Sequence, residues 1–250
     1  MTNVKSAKRT LEILELMERL RRPARVSEIA KLLGYPQSST SVLINSLTQL
    51  GYLNFNPETH EFAPSIRVAL VGGYLRFDTL HAFQVLDLLS AVQQHTGLTT
   101  ILSSRNGVHA QYVYVVPAPG RGIEGLRAGS IRPLTRTAPG VLLLAECSPD
   151  EIGRIVRHLN TLPDIGHHEN LDAVLKEVRE ARKQGYAWTV RRLTETLGSV
   201  AVKLPVRDSF GKALAVSVSG SADEITASAP DLARQMSQDI AAHCGQAPPR

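Results

Sequence analysis

Only two of the 250 residues are cysteine, Cys147 and Cys244, far apart and without a paired-cysteine spacing. That argues against a disulfide framework or a structural zinc site and points to a reducing compartment. No run approaches the roughly 20 apolar residues needed to span a bilayer. The amino end, MTNVKSAKRT, leads into a helical pattern with glutamates spread through it rather than into a secretory signal. A cytoplasmic protein with no membrane partner is expected. Catalytic patterns are missing too. Gly120-Arg121-Gly122 lacks the lysine–serine/threonine finish of a phosphate loop, and neither Ser103-Ser104 nor Ser217 and Ser219 stand in a nucleophile elbow. Cys147 has no sequence-adjacent base and reads as packing. His167-His168 would point to opposite faces of a strand, so with His158 and Asp164 they read as solvated loop residues. No catalytic residue, cofactor or metal site is expected. One absence is local: no lysine or arginine occurs between Lys31 and Arg67.

That cation-free stretch carries the strongest pattern. Ser27 is a candidate cap for a short helix whose buried side would be Ile29, Ala30, Leu32 and Leu33. Gly34 and Pro36 break it. Ser38 or Ser39 would cap a second helix with Leu43, Ile44, Leu47 and Leu50 on its apolar side and Ser38, Ser41, Asn45 and Thr48 on the other. Asn56-Pro57-Glu58-Thr59 would turn a two-stranded wing. A helix with one apolar and one short, uncharged, hydrogen-bonding side suits a DNA major groove. A plain packing unit is the bland alternative. Gln37, Ser38, Ser39, Thr40, Ser41 and Asn45 are the candidate groove contacts. Positive charge lies before the stretch, eight lysines and arginines against four glutamates over residues 5–31, so Lys5, Lys8, Arg9 and Arg25 are the candidate phosphate contacts. The formal net charge of +5 agrees with a nucleic-acid partner without establishing one.

A chain of this length with 43% hydrophobic residues can bury two cores. The pattern places a first helix at 5–20, with Ala7, Leu11, Leu14 and Met17 on its stripe, and a winged helix-turn-helix domain over 1–64. A linker helix at 65–79 is interrupted by Gly72-Gly73, read as a signalling joint or a packing notch. Residues 80–245 form a second domain, and 246–250 a disordered tail. In the second domain a helix from Leu80 to His95 buries Phe83, Leu86, Leu89 and Val92, and two strands reverse through Asn106-Gly107. An apolar helix runs from Gly140 to Glu146, Ser148 caps the next, Asn170 to Gln184 forms another, and after three strands a last helix runs from Ala229 to His243. Helices laid on an antiparallel sheet, an α+β class, fit this order.

With both halves in view, the chain resembles a full-length transcriptional regulator of the IclR family. The amino half carries Ile29-Ala30, Leu32, Gly34, Ser38-Ser39-Thr40, Leu47 and Leu50-Gly51-Tyr52. The carboxyl half carries Pro133-Leu134, Thr137-Ala138, Gly140, Gly185-Tyr186-Ala187, Glu195, Gly198, Pro205-Val206 and Ser217-Val218-Ser219-Gly220. The resemblance implies a GAF-like α+β effector-binding domain after the winged helix-turn-helix, and homodimers, with pairing into homotetramers, on palindromic double-stranded operators. It also implies a small-molecule effector of the carboxylate class, held against the threonine-alanine-x-glycine stretch and the last strands. By position that selects Thr137, Ala138, Pro139, Ala201, Ser217 and Ser219. Departures from the family pattern matter: Val42 stands where arginine is common, and Pro139 has no amide to donate. The stretch after Ala187 is basic rather than acidic, so Arg136, Arg191 and Arg192 are either guanidinium ligands for a bulkier anion or solvated cations. A ligand-controlled DNA-binding regulator is the expected function; a metabolite-binding protein or enzyme with a vestigial helical amino domain is the alternative.

Overall fold

The computed structural model describes residues 4–65, 67, 68, 71, 79–120, 126–163, 168–208 and 211–244, the side chains of 79–83 excepted. Most of the expected linker helix, including Gly72-Gly73, lies outside these residues, as do the 246–250 tail, Phe83's side chain, Arg121-Gly122, Asp164 and His167. The chain divides into two compact units, Met1–Arg76 and Phe77–Arg250.

The first unit contains α1 (Lys5–Leu20), α2 (Val26–Leu33), α3 (Gln37–Gln49) and a wing of β1 (Leu53–Asn56) and β2 (Glu61–Pro64) paired antiparallel. Its core joins Ile13, Leu16 and Met17 of α1 to Ile29, Ile44, Leu47, Leu53 and Phe62. Ala7 and Leu11 are exposed, so the buried stripe of α1 is rotated from the expected one. Leu32 and Leu50 are likewise exposed. Both helix ends use the same device. Gly34 (φ 69°) and Gly51 (φ 78°) adopt left-handed conformations that glycine takes without strain. The amides of Tyr35 and Tyr52, which follow them, reach back to the Ala30 (2.9 Å) and Leu47 (2.8 Å) carbonyls. The expected serine caps are not formed: Arg25 and Pro36 occupy the cap positions, with no side-chain cap bond at either. Ser27 lies inside α2, and Ser39 and Thr40 turn their hydroxyls back to the Pro36 carbonyl (both 3.0 Å). Ala24 bridges to Phe62 through two backbone bonds (3.1 and 2.9 Å), tying the α1–α2 connection to the wing.

The second unit is a six-stranded antiparallel sheet in the order β5-β4-β3-β8-β7-β6. The strands are β3 (Thr99–Asn106), β4 (His109–Val116), β5 (Ile131–Pro133), β6 (Tyr186–Val190), β7 (Leu197–Arg207) and β8 (Ala213–Ser221). The helices are α4 (Thr79–Thr96), α5 (Ala138–Leu144), α6 (Pro149–Leu159), α7 (Leu171–Gln184) and α8 (Ala222–Cys244). Residues alternate in facing along each strand. On β8, Val216 and Val218 pack with Val85, Leu88, Leu89 and Val92 of α4 and Met236 of α8. Ala213 and Ala215 join Ala187 and Ala201 in the second core, under α5, α6 and α7. Those alanines leave room for α5 to lie close to the sheet. Ser148 and Asn170 cap α6 and α7 as the sequence predicts, while α8 starts seven residues before the expected Ala229. Buried Ile225 and Ala229 hold the earlier turns of this helix, and Pro230 lies inside it. The winged helix-turn-helix followed by an α+β domain on an antiparallel sheet is the expected fold class.

Candidate DNA-reading helix and effector cleft

Helical geometry fixes which side of α3 is presented. Thr40 (1% exposed), Ile44 (0%) and Leu47 (5%) form its buried side. At 3.6 residues per turn, Val42 lies about 140–160° around the helix from all three. It is 65% exposed. Ser38, Asn45, Ser46 and Gln49 fall within about 60° of it, and all four are exposed. Ser41 and Thr48 sit on the flank and are half-buried. The reading face is therefore centred on Val42 and not on the Ser41–Thr48 edge that the sequence pattern suggested. Thr40 is withdrawn as a groove contact: its side chain is in the core, its hydroxyl satisfied by the Pro36 carbonyl. Ser39 spends its proton on that carbonyl, and Ser46 on the Val42 carbonyl (2.9 Å). The side chains of Gln37, Ser38, Ser41 and Asn45 engage no hydrogen bond among the described residues, which leaves them to an outside partner.

The cations are placed around this helix, not on it. Arg9 stacks its guanidinium over the Tyr35 ring, 4.5 Å from the centroid, just before α3 begins. The Tyr35 hydroxyl donates to Glu12, which also pairs with Lys8 (3.7 Å). The bond to Glu12 pushes the Tyr35 phenol up, with burial adding to it, so it stays a neutral donor. Arg25 donates to the Thr59 carbonyl in the wing turn (3.1 Å). Asn56 accepts the amides of Glu58 (2.9 Å) and Thr59 (3.4 Å) in the same turn. Lys5 is exposed at the start of α1.

In the second unit, register brings together residues far apart in sequence. Thr99, Ser219, Ser199 and Thr189 pair directly across four adjacent strands, a row of hydroxyls on the α5 side of the sheet. Thr189 and Ser199 lie within 3.3 Å of each other. A bulge between Leu102 and Ser103 shifts the pairing of β4, so that Tyr112 opposes Ser103 on that side. Burial pushes the Tyr112 phenol up, so it acts as a neutral hydroxyl. Tyr112, Thr189, Ser199 and Ser219 line a narrow cleft of about 20 Å³, together with Arg136 and Arg192.

Two of the eight expected effector contacts, Arg136 and Ser219, line this cleft. Thr137 is buried (2% exposed) and caps α5, its hydroxyl accepting the Gly140 amide at 3.1 Å. Ala138, Pro139 and Ala201 are buried core residues. Ser217 is buried, its hydroxyl without a partner in the structure. Arg191 faces away, paired with Asp223 (2.6 Å). Arg192 is held by both oxygens of Glu177 and donates to the Thr135 carbonyl (2.9 Å); its own carbonyl accepts from Arg136. It is therefore neither a solvated cation nor an uncommitted anion ligand. Sequence reasoning missed Tyr112, Thr189 and Ser199, because only strand register assembles them. Elsewhere in the unit, Cys147 is buried beside Arg105, 3.0 Å from its Sγ, and burial pushes its thiol up, which fits packing. Among the described residues no three metal-binding side chains converge, and no helix is long and apolar enough to cross a membrane.

Comparison with known proteins gives two family matches. The IclR helix-turn-helix domain matches residues 6–57, and the bacterial transcriptional regulator IclR C-terminal domain matches residues 78–244. The HTH-type transcriptional regulator XynR of Escherichia coli (strain K12) is 24% identical over 200 residues, 80% of this chain and 79% of that protein. Two of the solved structures that share the fold illustrate the likeness. Thermotoga maritima IclR superposes with a TM-score of 0.57 at 22% identity, covering 97% of this chain and 100% of that one. An IclR homolog from Microbacterium hydrocarbonoxydans, complexed with 4-hydroxybenzoate, gives 0.57 at 17% identity, covering 94% and 97%.

Proposed function

The chain belongs to the IclR family of bacterial transcriptional regulators, and from that premise we propose that it is a sequence-specific repressor or activator whose operator binding responds to a small organic acid. The protein works as a homodimer, or a pair of dimers, on a palindromic duplex, placing two α3 helices in major grooves about one helical turn (~34–36 Å) apart. Gln37, Ser38, Ser41 and Asn45 contact base edges, and Lys5, Lys8, Arg9 and Arg25 contact phosphate.

The observation that carries the effector reading is the hydroxyl row beneath two guanidinium groups in one cleft. Glu177 already holds one of them, Arg192, and a guanidinium in such a cleft matches the geometry of a carboxylate. The hydroxyls then serve the ligand's polar substituents. At the start of α5, Pro139 has no amide and Gly140's is taken by Thr137, so fewer backbone amides are left to a carboxylate and side chains take a larger share of its recognition. The 4-hydroxybenzoate bound by the Microbacterium homolog is an acid of this kind. To release the operator, the effector must favour one state of the protein by several kcal/mol.

The test is fluorescence anisotropy of the full chain on a duplex selected from a random library, titrated with 4-hydroxybenzoate and with short hydroxy acids. An acid that changes operator affinity should lose its effect in Arg136→Gln and in Ser199→Val, with acid-free operator affinity within twofold of wild type. If the response survives both substitutions, the cleft is not the effector site.

A further inference from the structure

The most prominent residue of the reading helix is its one apolar exposed one. Val42 stands opposite the buried side of α3, 65% exposed, among Ser38, Asn45, Ser46 and Gln49. Its side chain belongs to none of the hydrophobic clusters among the described residues. A β-branched residue there adds nothing to helix stability compared with alanine. The helix around it is uncharged, and neither α3 nor the wing carries a lysine or arginine. A helix so built has no point charge to place at the centre of a groove. What it offers there is a pair of methyl groups.

The major groove presents one apolar feature to such a residue, the C5-methyl of thymine. Resting on the reading that α3 enters the groove, we infer that Val42 is a specificity-determining residue that selects thymine by packing against this methyl. Asn45, one turn along the same face, has the paired donor and acceptor that match the N6 and N7 of adenine. The two side chains lie three residues apart, so they read neighbouring base pairs. Each half-site should therefore contain a thymine methyl beside an adenine edge. The contact is dispersive and desolvating, and it discriminates a methyl from a hydrogen without involving any charge.

The experiment replaces thymine by deoxyuridine, one position at a time, in a half-site of the library-selected duplex, and measures affinity of the full chain by anisotropy. This removes one methyl group and leaves every hydrogen-bonding atom of the base in place. Burial of one such carbon is worth about 0.8 kcal/mol, which is about a fourfold change in Kd. Wild-type protein should lose about fourfold at one thymine per half-site. Val42→Ala should bind the thymine and uracil duplexes equally. Val42→Thr, which keeps one methyl on the same branched carbon, should retain part of the preference. Because Val42 is exposed, neither substitution threatens the fold. A selected half-site without thymine, no uracil-sensitive position in the wild type, or a sensitivity that persists in Val42→Ala would each overturn the assignment. Failure of the wild type to select any sequence would instead remove the DNA-reading premise.

Discussion

Gly140 is the position in the second unit where a single methyl group should do most damage. A Cβ built there overlaps the carbonyl oxygen of Leu134 and stands 2.6 Å from Thr137 Oγ1, the atom that caps α5. Neither neighbour can yield cheaply. The first is backbone, and the second is a buried side chain whose hydroxyl is committed to the Gly140 amide. Gly140→Ala must therefore push α5 away from the Leu134–Arg136 turn, an overpacking that costs about 1–3 kcal/mol. Loss of the cap bond adds about 1 kcal/mol. The total is about 2–4 kcal/mol. The chain has a single tryptophan, Trp188, and it lies in β6 of this unit. Urea unfolding followed by its fluorescence thus reports the second unit alone. With a slope of about 2 kcal/mol per molar urea, the midpoint should fall by about 1–2 M. Thr137→Ala, which removes the cap without the overlap, should fall by roughly 0.5 M on the same scale. A Gly140→Ala midpoint no lower than that of Thr137→Ala would refute the close-approach argument.

Two further outcomes are expected. Arg9→Gln should reduce the slope of log K against log salt by about 0.9 per subunit, because one phosphate contact is lost; Tyr35→Leu, which removes the stacking platform, should do the same, whereas Tyr35→Phe keeps the ring and the slope. An unchanged slope in Arg9→Gln would show that its guanidinium serves only the fold. Glu146 is held below the usual carboxylate range by its bond to Lys203, with Arg207 adding to it. Its folded-state pKa is depressed, so its contribution is present above the unfolded value of about 4.3 and is lost as pH falls through the folded one. The partners are about half exposed, which limits that contribution to at most about 1 kcal/mol. Glu146→Gln should flatten the acid side of the Trp188-monitored stability curve by this amount, and a Gln variant as acid-sensitive as wild type would exclude it.

Local chemistry was legible where a few adjacent residues decide the backbone. Gly34-Tyr35-Pro36 and Gly51-Tyr52 end their helices as read, Asn56 organises the wing turn, and Ser148 and Asn170 cap their helices. The face of α3 was misread for a specific reason. Counting apolar residues assigned Leu43 and Leu50 to the core and left Thr40 outside. Thr40 returns its hydroxyl to the Pro36 carbonyl and packs its methyl inward, while Leu50 is exposed. A threonine that satisfies its own oxygen behaves as a small apolar residue, and the helix turns accordingly. The cleft was less legible still. Its hydroxyl row depends on the register of four strands, three of them drawn from after residue 185, and Tyr112 reaches it only because β4 bulges.

The two units orient an arginine by related means. In each, an arginine near the site has its orientation set by the protein before any ligand arrives: Arg9 by the Tyr35 ring, and Arg136 by the Arg192 carbonyl. Arg192 shows why the orientation matters. Its guanidinium is already matched by both oxygens of Glu177, so a ligand carboxylate at that place would have to displace one that is covalently part of the protein and needs no translational entropy to bind. Arg191 is spoken for by Asp223. Counting arginines in the sequence therefore overstated the charge available to an effector. On the proposed reading, the selectivity of the cleft would rest more on where its hydroxyls stand than on its cations, just as that of α3 would rest on its neutral face and Val42.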